Sequence, residues 1–255
     1  MRHDVVYILK NDIDSEELRY SLRSVCMNFP FRKVVFVGGK PSDIHPDIYM
    51  KDEQIGSTKW EKAKHSLLKA LDNDELTEDI WLFNDDFFVM DRVKDGADVN
   101  YFNGTLGKRV IDLKMKNPRG SSYITNLERL KGHLTSINKD TLSFALHVPM
   151  LINRRKALDL LSSGIHACLM FRSYYGNFYE IECQYMKDVK VYDCKTVPDT
   201  PFISTTDVSF AQGKVGEFLR KYFDKPCQYE KTQVERLCEQ TKEIYNEEGD
   251  LRYVE

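Results

Sequence analysis

The chain of 255 residues has no low-complexity tract, no internal repeat and no block of like charge, and its charged residues are spread evenly, as on a solvated globular surface. Its six cysteines, Cys26, Cys168, Cys183, Cys194, Cys227 and Cys238, form no CxxC pair and no Cys/His zinc spacing. No apolar run is long enough for a signal peptide or a membrane span. Both absences predict a cytoplasmic protein with free thiols and no membrane-spanning segment. Lys plus Arg number 37 against 40 Asp plus Glu, a formal net charge of -3, so no global basic character points to nucleic acid. A nucleic-acid acceptor finds no basic-aromatic stripe to support it.

What is present is a 42% hydrophobic content, enough for a sizeable core in one large domain. The uncharged run Ile80-Trp81-Leu82-Phe83 stops at Asn84-Asp85-Asp86 and resumes as Phe87-Phe88-Val89-Met90. A strand of that composition is buried on both faces, so the two carboxylates at its end lie where an open α/β sheet receives ligands. Such a pair suits a hard divalent cation and the phosphates it carries. Asn and Asp also close turns, and successive strand residues point to opposite faces, so these three residues alone leave turn and metal chemistry open and do not rank Asp85 against Asp86.

Earlier in the chain, Val5-Val6-Tyr7-Ile8-Leu9 predicts a first buried strand that ends at Lys10-Asn11-Asp12. Asp14 with Glu17 resembles a capping box for a helix carrying Leu18, Leu22 and Val25, and Val34-Val35-Phe36-Val37 predicts a second strand ending at Gly38-Gly39. Strand, helix, strand with short links is a βαβ unit and predicts parallel pairing with a right-handed crossover. Thr58 with Glu61 starts another helix whose apolar stripe is Trp60, Ala63, Leu67, Leu68 and Leu71. Residues 1–90 therefore form a nucleotide-binding half, a placement that favours the metal reading.

Residues 91–140 carry many polar residues and several glycines, and predict an irregular insertion. Residues 141–255 are the acceptor-side half: His147 after an apolar run, a helix from Asn153 ended by Gly164, strand-like Val189-Lys190-Val191-Tyr192, and two amphipathic segments, one around Val215, Phe218, Leu219, Tyr222 and Phe223, the other around Val234, Leu237, Cys238 and Ile244. The expected fold class is α/β, a single domain with a mostly parallel central sheet flanked by helices.

Two carboxylates and an imidazole suit Mn2+ or Mg2+, with His147 the best imidazole and His133 and His166 in weaker contexts. Arg172, among the aromatics of Phe171-Arg172-Ser173-Tyr174-Tyr175, either clamps a phosphate bidentately or lays its stem across apolar surface. Arg19 and Arg23 share a helix face, and Lys59, just inside a helix start, can reach an anion bound there.

Asp4-Val5-Val6-Tyr7 through Glu17-Leu18-Arg19-Tyr20-Ser21-Leu22-Arg23-Ser24, then Phe83-Asn84-Asp85-Asp86-Phe87-Phe88, then His147-x-Pro149 followed by Phe171-Arg172-Ser173, resemble in order and spacing the conserved blocks of the Stealth family of sugar-phosphate transferases. The resemblance covers most of residues 4–180 and implies a glycosyltransferase-A-like fold that takes a nucleotide-sugar donor and a carbohydrate or other hydroxyl acceptor. It implies Asp85, Asp86, His147 and Arg172 as active-site residues and places the nucleotide near Asn11. The chain departs from the family in carrying Lys10-Asn11 where a valine-aspartate pair is usual, and its compact length is similar to small bacterial and phage-encoded glycosyltransferase-like proteins. Glycosyl transfer and hexose-1-phosphate transfer both fit. Asp12-Ile13-Asp14-Ser15 faintly resembles the nucleophile motif of haloacid-dehalogenase-type phosphatases, although Lys10-Asn11 separates it from the strand. A non-catalytic glycan-binding module needs neither the βαβ half-sheet nor the strand-end carboxylates.

Overall fold

The computed structural model describes residues 2–13, 15–163 and 170–231. Its central sheet has the order β3-β2-β1-β4-β7: β1 (Asp4–Leu9), β2 (Val34–Gly38), β3 (Ile48–Met50) and β4 (Asp79–Phe83) run parallel, and β7 (Met150–Asn153) is antiparallel to β4. Helices α1 (Glu16–Asn28) and α2 (Lys59–Leu71) alternate with these strands. This is the α/β architecture expected, a mostly parallel sheet flanked by helices.

The period of two along each strand divides the core in half. Val6, Val35, Val37, Ile80 and Leu82 face α2, where they join Leu67, Ala70 and Leu71. Val5, Tyr7, Leu9, Val34, Phe36, Trp81 and Phe83 face α1, where they join Leu18, Leu22 and Val25. Apolar side chains on both faces keep water from either side of the ladder, which is why β1, β2 and β4 read as unbroken apolar runs. Thr58 and Glu61 form the expected capping box at the start of α2.

Residues 91–140 are more regular than expected. After β6 (Asn100–Phe102) come α3 (Leu106–Lys116) and α4 (Ser122–Ser136), capped by the side chains of Thr105 and Ser121. Gly104 and Gly120 lie outside these helices with positive φ, and the apolar stripe Ile124, Leu127, Leu130 and Leu134 packs into the α2-side core. The glycines mark boundaries and the stripe decides the structure.

The chain continues with α5 (Arg154–Ser162), α6 (Phe171–Phe178), β8 (Cys183–Tyr185), β9 (Lys190–Val191), β10 (Phe202–Thr205), α7 (Asp207–Gln212) and α8 (Lys214–Tyr222). β5 (Phe87–Val89) leaves the central sheet and pairs with β10 in a small sheet ordered β5-β10-β9, and β6 pairs with β8. Asn84-Asp85-Asp86 is thus the junction of two sheets. Asp14, Gly164, His166, Cys168 and the segment around Val234, Leu237, Cys238 and Ile244 lie outside the described residues. No helix among the described residues is long and apolar enough to cross a membrane.

Candidate active site at the junction of the two sheets

The backbone turns between β4 and β5, with the Phe87 amide donating to the Asn84 carbonyl at 3.3 Å. The turn reading of Asn84-Asp85-Asp86 is therefore correct for the main chain. The side chains look elsewhere. Lys190 and Ser204 are register partners in the parallel β9–β10 ladder, so both rise from one face and meet on Oδ2 of Asp86, the Lys190 ammonium as an ion pair and Ser204 Oγ by donation at 2.8 Å. Among the described residues Asp85 has no side-chain partner of this kind. Burial and the neighbouring Asp86 raise its carboxyl above the usual range, opposed by its own amide and by the charges of Lys10 and Lys190.

A third carboxylate belongs to this group. Glu17 was expected to cap α1 together with Asp14, but the helix begins at Glu16 with Ser15 as its N-cap, which places Glu17 one position too early for that role. Its side chain is buried and accepts from the Thr205 hydroxyl. Burial lifts its carboxyl to about 7, assisted by Asp86 and Asp85 and resisted by Thr205.

The expected ligand His147 points its Nδ1 at Asp188, 2.9 Å from Oδ1, and its own amide leans toward the same oxygen at 3.4 Å. Burial works to raise the Asp188 carboxyl, and the His147 ring and amide with the Lys190 amide outweigh it, keeping the group below the usual carboxylate range. Among the described residues no three His, Cys, Asp or Glu side chains assemble into a metal-ligand group. The expected set Asp85, Asp86 and His147 is thus not gathered into one group: the two aspartates adjoin, and the imidazole faces Asp188. Two carboxylates still fit Mg2+ or Mn2+, which takes one or two protein carboxylates with water and substrate phosphates.

Arg172 lies in the first turn of α6 and runs behind the turn. Its Nη1 donates to the Val148 carbonyl at 2.6 Å, its Nη2 approaches the Leu82 carbonyl at 3.4 Å, and its guanidinium stands 5.3 Å from the Phe87 ring centre. Burial lowers it to about 10 against the opposing pull of Asp86. The carbonyl bonds join the His147-Val148-Pro149 block to the carboxyl end of β4, and the side chain lines a cavity of about 350 Å3. Ile8, Trp60, Lys64, Asn84 and Tyr123 form other parts of that wall. The cavity opens at the carboxyl ends of β1 and β4, where open α/β sheets bind ligands.

Other expected residues fall elsewhere. Asn11 is exposed at the end of β1, its amide donating to Gln54 Oε1 at 3.2 Å. The close approach there needs glycine: a Cβ on Gly38 would stand 2.1 Å from the Leu9 carbonyl oxygen, and its φ is +103°. Arg19 and Arg23 point away from the cavity and hold Glu230, Arg19 Nη1 at 2.8 Å and Arg23 Nε at 2.6 Å, while Arg19 also pairs with Asp43. They tie α1 to the segment after α8, a contact that sequence reasoning missed because Glu230 is more than 200 residues away. The anion position at the start of α2 is filled by Glu61, whose carboxylate accepts from the amides of Ser57 and Thr58, and Lys59 lies over the Trp60 ring. His133 meets the Tyr174 hydroxyl at 3.3 Å within the helical layer.

No family model and no curated protein matches the chain. Among solved structures it is similar to the apo-form glycosyltransferase GlyE of Streptococcus pneumoniae TIGR4, with TM-score 0.33 and 12% identity over 89% of this chain and 66% of that one. A second GlyE structure gives TM-score 0.29 and 9% identity over 77% of this chain and 68% of that one. The chain spans about two thirds of GlyE, and likeness at this level carries no argument about chemistry.

Proposed function

We propose that the protein is a nucleotide-sugar transferase of glycosyltransferase-A-like build, moving a sugar from a nucleoside-diphosphate sugar to an acceptor hydroxyl, with Stealth-type hexose-1-phosphate transfer as the second reading. The observation that carries the proposal is Asp85: a partly buried carboxylate with no side-chain hydrogen bond or ion pair among the described residues, raised by burial and by Asp86, at the strand end next to Asn84, which lines the cavity with Arg172. Adjoining carboxylates favour a further positive charge beside them. A diphosphate brought in with a divalent cation supplies that charge, whereas a neutral glycan does not.

Asp85 and Asp86 are the residues that would hold the Mn2+ or Mg2+, and the ion would neutralise charge on the donor phosphates. Arg172, braced by main-chain carbonyls, presents a fixed cation to the cavity. Trp60 offers a ring against which a nucleobase can stack, and Lys64 adds a positive group beside it. With Nδ1 of His147 donating to Asp188, Nε2 is left as an acceptor on a side chain that is 28% exposed. It is poised to take the proton of the attacking hydroxyl, and Asp188 stabilises the imidazolium that results.

The test is a panel of nucleoside-diphosphate sugars, each measured by thermal shift with and without Mn2+, in the wild type and in Asp85→Asn. One donor should raise the melting temperature with Mn2+, and the substitution should abolish the rise. Equal stabilisation of both proteins would remove Asp85 from the site, and no response to any donor would overturn the proposal. Release of nucleoside diphosphate from the active donor identifies glycosyl transfer, and release of monophosphate identifies phosphosugar transfer.

A further inference from the structure

A second cavity, of about 210 Å3, lies on the α1 side of the sheet and shares no lining residue with the one that Asn84 and Arg172 line. Four aromatic rings wall it: Phe29 and Trp81 meet edge to face with centroids 5.2 Å apart, and Tyr101 and Phe202 do so at 6.1 Å. Trp81 is 5% exposed, yet its indole N–H meets no acceptor among the described residues and is not closed off from solvent, so the donor opens onto the space that its ring walls. The Tyr101 hydroxyl is likewise without a hydrogen bond among the described residues. Donors left unmade among apolar walls are costly, and native proteins keep very few of them.

The cavity has a fixed frame and an open mouth. The segment 91–99 that covers it is held by the Val93 amide on the Asn28 carbonyl at 2.8 Å and by the Asp91 amide on the Pro201 carbonyl at 3.3 Å. Asp91, Arg92 and Lys94 line it from exposed positions, and among the described residues none of the three is in an ion pair. Such a site asks for a ligand whose apolar face packs on the rings, whose oxygens accept from Trp81 and Tyr101, and which is neutral, since both signs of charge stand at the mouth. A purely apolar ring leaves both donors unmade. A pyranose, with C–H groups on its face and hydroxyls around its edge, meets all three conditions. The volume lies below the roughly 300–1,000 Å3 of sites for drug-sized ligands and suits a single ring.

We propose that this cavity is a second glycan-binding site, taking one neutral sugar ring of a saccharide, with Trp81 and Tyr101 as its inner hydrogen-bonding groups and Arg92 and Asp91 at its mouth. Trp81 faces α1 whereas Leu82, the next residue, faces α2, so the site lies across the sheet from the proposed donor cavity. None of Asp85, Asp86, His147 and Arg172 lines it, so it binds without catalysing. The inference goes beyond the transferase reading and does not depend on it.

The chain has two tryptophans, Trp60 in the donor cavity and Trp81 here, so each cavity carries its own indole reporter. The experiment follows both indole N–H signals by NMR of the 15N-labelled protein, assigned through Trp60→Phe, during titration with methyl α-glucoside, methyl β-galactoside and N-acetylglucosamine, with cyclohexanol as the apolar control. At least one sugar should shift the Trp81 signal saturably and leave the Trp60 signal in place. Tyr101→Phe should weaken that sugar about 2- to 10-fold and Arg92→Ala about 10-fold, with the rest of the spectrum unchanged. No saturable shift of Trp81 with any of the three sugars overturns the proposal, and so does a shift of Trp60 alone. Cyclohexanol binding as tightly as the sugar, or an affinity unchanged in either variant, overturns it as well. None of these results bears on donor binding, because the thermal-shift test with Mn2+ reads a cavity with no residue in common.

Discussion

Glu17→Gln isolates the electrostatics of the carboxylate group. Glu17 is 7% exposed, accepts from Thr205 and is raised from 4.5 to about 7 by burial and by Asp86 and Asp85. A carboxyl raised on folding binds its proton more tightly in the native state, so the native fold loses stability as pH climbs from 4.5 to about 7 and stays lower above that. At 1.36 kcal/mol per pH unit the ceiling is about 3 kcal/mol, which water reaching the open edge trims to about 2 kcal/mol. Glutamine keeps the size and an oxygen for Thr205 but carries no charge. It should therefore stabilise the protein by about 2 kcal/mol at pH 8, a rise of about 4–8 °C in melting temperature for a chain of this size, and change little at pH 4.5. Differential scanning calorimetry in EDTA at the two pH values reads this directly. A rise of equal size at both, or a fall at pH 8, would show that Glu17 is not held against the two aspartates and would refute the charge argument.

Further outcomes follow from other contacts in the fold. Arg23→Ala leaves Glu230 buried and half-paired, so chemical denaturation should show a loss of about 3–5 kcal/mol. Although burial tends to raise Glu230, Arg23 and Arg19 hold it at about 2, and the stability it contributes is present above 4.5 and fades as pH falls toward 2. Gly176→Ala gains about 1 kcal/mol of helix propensity but sets a Cβ 2.6 Å from the Phe144 ring, so overpacking should win and the melting temperature should fall. His147→Ala should lower kcat about 10²- to 10⁴-fold with the fold intact, and Asp188→Asn should move the pH profile of kcat/KM, a change that a purely structural Asp188 would not produce.

The strands that build the site were legible because runs of four or five mostly β-branched and aromatic residues that end at a polar cluster are too short for a buried helix and suit a strand covered on both faces. β1, β2 and β4 are buried on both faces, and burial of that kind is written locally. The capping box of α2 was legible for the same reason, since both partners lie within one turn. The partners of the carboxylates were not. Asp86 meets Lys190 across 104 residues and Glu17 meets Thr205 across 188, and no local pattern encodes contacts of that span. Glu17 carried a positively misleading signal, because an acid three residues after Asp14 resembles a cap wherever it points. Asp188 had only its position before a strand-like segment to mark it. β7 and β10 were missed because a short strand flanked by proline or by turn residues leaves too few positions for a period of two to show.

The alternation that organises the core also explains why cavity and carboxylates do not lie on the same side of the sheet. Along β4, Leu82 faces α2 and Phe83 faces α1. Asn84 continues the α2 side and lines the cavity with Trp60 and Lys64, whereas Asp85 is felt by Tyr7 and Glu17, both on the α1 side. The two halves come together only where the strands stop, and Arg172 reaches across that edge, touching carbonyls of Leu82 and Val148 while sensing Asp86. On the reading proposed above, a ligand engaging both halves is extended, with one end in an aromatic-walled cavity and its phosphates, carried by a cation, at the acidic edge. A base or ribose joined to a diphosphate has that shape and charge, and a simple phosphate ester does not.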